Sequence, residues 1–142
     1  MISPMQALAT ALAGVPAIAN STGTSVNSTY PDPTVTQIPL PAAWLGYAGS
    51  VPLDKPLNGF SGRGVTRKLI YVVMVYLDNT LGQNAFLTTQ LPILDEIVAA
   101  VRGLLPTPGQ AGFAFAFEGE RLHSLTTKRV TYEQRFSLIT YT

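Results

Sequence analysis

The strongest pattern along the chain is Leu69-Ile70-Tyr71-Val72-Val73-Met74-Val75-Tyr76-Leu77, an apolar and aromatic run without a polar break. Successive strand residues point to opposite faces, so an unbroken run requires both faces to be covered. It predicts a central strand over 67–78, with helices on one side and a second subunit able to cover the other. Ala43-Trp44-Leu45-Gly46-Tyr47-Ala48-Gly49 reads as another strand, its glycines permitting close backbone approach. Phe113, Phe115 and Phe117 alternate with Ala114 and Ala116, a strand with one bulky and one flat face, followed by a turn or bulge at Glu118-Gly119-Glu120. From Val130 to Tyr141, Tyr132, Phe136 and Leu138 alternate with Glu133, Arg135 and Ser137, which predicts a last strand with one buried face.

Two stretches carry helical spacing instead. Ser3 before Pro4 reads as an N-cap with proline at the first helical position, and Met5, Leu8, Ala9 and Leu12 share one face up to Gly14. A second helix is capped by Thr88 or Thr89 and tolerates Pro92 in its first turn. Leu91, Leu94, Val98, Val101 and Leu105 form its buried stripe, and Pro106 and Pro108 end it. Pro16, Pro31, Pro33, Pro39 and Pro41 forbid helix over 15–41 and spoil a central strand, so this Pro/Ser/Thr-rich segment reads as an extended arm. Residues 51–66 form a loop punctuated by Gly59, Gly62 and Gly64. The expectation is one α+β domain over 1–142: a mainly antiparallel sheet of about four to five strands with two helices packed on one face.

Charge sharpens this picture. Only 12% of the 142 residues are charged, and from Met1 to Leu53 the single charged side chain is Asp32. A monomer needs charged surface to stay apart from its neighbours, so an uncharged first third points to a surface covered in the working state. Net charge +1 supplies no field for nucleic acid or a membrane surface as the main partner. No apolar run approaches the ~20 residues needed to cross a bilayer. The N-terminus lacks the basic residues of a signal peptide despite Ala17-Ile18-Ala19, and the absence of cysteine removes disulfides and thiolate chemistry.

Candidate chemistry is sparse. His123 is the only histidine, placed between two strands, and no partner at a known motif spacing accompanies it. Gly59-Phe60-Ser61-Gly62-Arg63-Gly64 has G-x-x-G-x-G spacing and is followed by a strand, so it lacks the helix N-terminus of a phosphate cradle. Asp95 and Glu96 are adjacent on a helix and diverge. No catalytic, cofactor or metal residues are assigned. Lys55, Arg63, Arg67 and Lys68 make 53–67 the most basic stretch, suited to weak nucleic-acid contact or to pairing across a subunit interface. Trp44 and Tyr47 serve equally as strand core or as interface anchors. These six are the candidate subunit-interface residues.

The order of segments, with Leu40-Pro41-Ala42-Ala43-Trp44-Leu45-Gly46-Tyr47-Ala48-Gly49 and a final strand through Arg135-Phe136-Ser137-Leu138-Ile139, resembles the small tail-terminator and neck (minor tail) proteins of tailed bacteriophages, Mu-like and lambda-like. The resemblance covers nearly the whole chain; the long uncharged arm departs from it. It implies a non-enzymatic virion protein, assembled in the host cytoplasm, whose copies form a hexameric ring. That ring would cap the tail tube and join it to the head–tail connector, with DNA at most passing through its lumen. A connector or tail-completion subunit is the neighbouring reading. A small-ligand or nucleic-acid binding module using the 53–67 loop is the reading from another class.

Overall fold

The computed structural model describes residues 4–18, 40–53, 66–106 and 113–141. Four strands, β1 (Ala42–Pro52), β2 (Thr66–Asp78), β3 (Ala116–Leu125) and β4 (Arg129–Tyr141), form one antiparallel sheet in the order β1-β2-β4-β3. Helix α1 (Pro4–Ala13), the short α2 (Gln83–Ala85) and α3 (Pro92–Val101) complete the α+β domain. No helix is long and apolar enough to cross a membrane, among the described residues.

β2 is central, as its unbroken apolar run requires, and residues 71–77 are buried throughout. Its odd-numbered side chains Leu69, Tyr71, Val73, Val75 and Leu77 join Ala43, Leu45, Phe136 and Leu138 on the inner face, under Leu8, Leu12, Ile93, Leu94, Ile97 and Val101 of the helices. Its even-numbered Val72, Met74 and Tyr76 form a second cluster with Ala42, Leu40 and Trp44 on the outer face. β4 turns Val130, Tyr132, Phe136 and Leu138 inward, together with one polar residue. Gln134 is fully buried on the inner face, where its amide donates to the Leu94 carbonyl (3.0 Å) and to Glu120 (3.2 Å), tying α3 to the sheet.

Several boundaries differ from the sequence expectation. α1 stops at Gly14, whose N–H bonds the Thr10 and Ala11 carbonyls, but the chain does not become extended there. Residues 16–18 make a helical turn, and Val15 and Ile18 are buried in the main core. Pro16 opens that turn, where a missing N–H costs nothing. Residues 19–39 of the arm and residues 54–65 lie outside the described residues, as does Ser3. The second helical segment begins at Gln83 rather than at a threonine cap, and passes through a π-helical stretch, Phe86–Gln90, before α3. The hydroxyls of Thr88 and Thr89 donate back to the Asn84 (2.9 Å) and Ala85 (2.6 Å) carbonyls. Pro92 accounts for the wide turn: its ring would clash with the carbonyl four residues earlier, and the expanded loop relieves that contact. α3 ends at Val101, four residues short of Leu105, because Gly103 takes φ 83° and turns the chain before either proline.

Candidate assembly interface

β3 begins later and runs further than the phenylalanine alternation indicated. Phe115 is buried ahead of the strand, exchanging backbone hydrogen bonds with Leu104 and Gly103, while Phe113 is exposed. Glu118-Gly119-Glu120 is a bulge inside the strand, with Gly119 at φ 133°, and a second bulge falls at His123. His123 therefore lies exposed within an edge strand, not in a turn between strands.

The outer face of β3 and β4 carries a paired charge network. Arg121 and Arg135 both approach Glu133 Oε2, at 2.6 and 3.5 Å, and the Glu133 side chain is nine-tenths buried. Alongside, Lys68 Nζ lies 2.9 Å from Glu118 Oε1, which also accepts the Ser137 hydroxyl. The Ser137 and Lys68 hydrogen bonds hold the Glu118 carboxyl below the ordinary glutamate range, against a smaller opposing effect of burial. An open hollow of about 330 Å³ lies here, lined by Glu118, Gly119, Glu120, Arg121, Glu133 and Arg135. Its lining carries three carboxylates against two guanidiniums, an excess of one negative charge, so it offers no attraction to an anion. Across the sheet, burial raises the Tyr71 and Tyr76 phenols above the usual tyrosine value. Tyr47 adds to the rise at Tyr71, and Arg129, 4.9 Å over the Tyr76 ring, opposes it at Tyr76.

Apart from Phe113, the large apolar side chains that stay exposed among the described residues lie toward two corners of the sheet. One is the second half of edge strand β1, where Tyr47, Ala48, Ser50, Val51 and Pro52 are exposed and no residue is charged. Tyr47 leans on Tyr71, ring centroids 5.4 Å apart, yet stays 46% exposed, and Val51 is 52% exposed. The other is the end of β3, where Leu122 is 53% and Leu125 64% exposed. Leu81 and Leu87 are exposed at the same end of the sheet, where the Asn79 N–H bonds the Lys128 carbonyl. Register places these patches diagonally. Val51 is level with Lys68 at one end of β2, and Leu125 is level with Leu77 at the other, on the opposite edge.

Of the six interface candidates, Tyr47 sits in the first patch. Trp44 is half-buried across from Met74 on the outer face, its indole Nε1 enclosed with no hydrogen-bond acceptor. Arg67 pairs in register with Pro52 at the β1 corner, its Nε buried and also without an acceptor. Lys68 spends its charge within the chain, on Glu118. Lys55 and Arg63 lie outside the described residues. Sequence reasoning passed over Leu122 and Leu125. Only their position on an edge strand, beyond the helical cover, separates them from core leucines. The chain matches no protein-family model and no curated relative.

Proposed function

We propose that this chain is a structural virion protein of a tailed bacteriophage, a tail terminator whose copies close into a ring that caps the tail tube and meets the head–tail connector. The observation that carries the reading is the diagonal placement of two unlike patches of exposed apolar side chains on opposite edges of one sheet, the β1 patch without any charge. Unlike patches associate head to tail, and head-to-tail contacts generate rings when the rotation closes. An edge strand exposed without charge is one that natural monomers avoid, because it pairs with other chains. The Leu-Pro-Ala stretch feeding β1 and the segment order add the tail-terminator resemblance, and with it the hexamer and the two virion neighbours. The test is mass measurement in solution together with imaging of the particles. A closed ring of defined copy number is expected, and addition of purified tail tubes should place it at one tube end. A monomer at all concentrations, or rings that ignore tubes, would refute the reading.

A further inference from the structure

Resting on the ring reading above, we propose that the end of β3 in one copy pairs edge to edge, antiparallel, with the exposed half of β1 in the next copy. The sheet has an even number of alternating strands, so repeating it side by side in one orientation sets β3 antiparallel to the following β1. Antiparallel pairing completes the unused backbone donors and acceptors of both edges.

The diagonal patches meet only if the copies are staggered along the strands. Setting Leu122 opposite the next copy's Ser50 achieves this. Counting past the bulges at His123 and Ala48, Leu125 then lies opposite Tyr47 and Glu120 opposite Pro52. All of these side chains belong to the inner face, as their partners in the sheet show: Leu122 with Tyr132, Leu125 with Val130, Glu120 with Gln134, Tyr47 with Tyr71, Ser50 with Leu69 and Pro52 with Arg67. Leucine therefore meets tyrosine across the new pair. The Glu120 carboxylate comes beside Arg67, the guanidinium whose Nε finds no acceptor within its own chain. The two bulges fall one step apart, so both strands bend in the same region. The occupant of the β1 edge is thus a second copy of this chain, selected by backbone pairing, by Leu–Tyr contact and by a Glu–Arg pair.

The protein contains no cysteine, so introduced thiols report without background. Directly opposed strand residues lie within disulfide reach. Mild oxidation of the Tyr47→Cys/Leu125→Cys double variant should give a covalent ladder extending to the full ring, while each single variant should give no ladder. Glu120→Lys should weaken association at least fivefold, with recovery on adding Arg67→Glu. Particles of normal size without a ladder, or an unchanged association constant for Glu120→Lys, overturn the pairing and leave the ring reading standing. A chain that is monomeric at every concentration overturns both.

Discussion

Glu133 shows how one side chain can hold two elements together without supplying much net stability. Its buried carboxylate is neutralised by two guanidiniums that remain about half to two-thirds exposed, so water shares in the solvation of the pair. Arg121→Ala should therefore cost less than about 1 kcal/mol, whereas Glu133→Ala, which leaves two arginines facing each other, should cost about 1–2 kcal/mol by urea denaturation. Glu118 makes a pH prediction. Its folded pKa is depressed, so the stability it contributes is present above the unfolded glutamate value of about 4.3 and is lost as the pH falls through the lower folded value. Ser137→Ala removes the leading cause of that depression, so the variant should show a shallower loss of melting temperature on acidification than the parent. His123 lies exposed on β3 and its side chain makes no hydrogen bond or ion pair among the described residues. His123→Ala should leave the melting temperature unchanged.

Among the elements, β2 is the most sensitive. Val73 is fully buried on the inner face, and Val73→Asp places a carboxylate among the apolar side chains of the core. A cost of several kcal/mol takes most of a small domain's stability, so the variant should be insoluble or lack a cooperative thermal transition. Such a strand was readable from sequence because its apolar run leaves no other arrangement, and β4 because Glu133, Arg135 and Ser137 alternate with Tyr132, Phe136 and Leu138. The helical segment was readable in existence but not in limits. Thr88 and Thr89 have the chemistry of caps, yet mid-helix hydroxyls bond back to carbonyls equally well, and only the position of Pro92 against the preceding turn decides between them. β3 was misjudged for a related reason. Gly119 signals positive φ, which serves a turn and a bulge alike, and the pairing of Arg121 with Glu133 on β4 is a long-range fact.

At the scale of the whole molecule, the uncharged first third of the sequence already implied a covered surface, and Tyr47 was within reach of that inference. The second corner was not, since exposure of Leu122 and Leu125 follows from where the helices stop rather than from the letters of β3. The contacts proposed at these corners are mainly apolar and backbone-mediated. Raising ionic strength from about 0.1 M to 1 M shortens the screening length from about 10 Å to 3 Å, but should change the association constant by less than about tenfold. Sedimentation across that range measures it, and dissociation at high salt would point to a charge-driven interface instead.

The strand order also sets a tempo. β2 acquires its second neighbour only from β4, the last of the described strands, through pairs such as Asp78 with Arg129 and Thr66 with Tyr141 that lie more than fifty positions apart. Contacts so distant in sequence slow the search for the native state relative to helical domains of similar size. During synthesis the paired β1 and β2 emerge before β4 and wait with one long apolar flank unpaired until β4 is available. The hazard is thus kinetic, a window for misassociation that closes with β4, and chaperone occupancy of nascent chains should fall sharply once β4 has emerged.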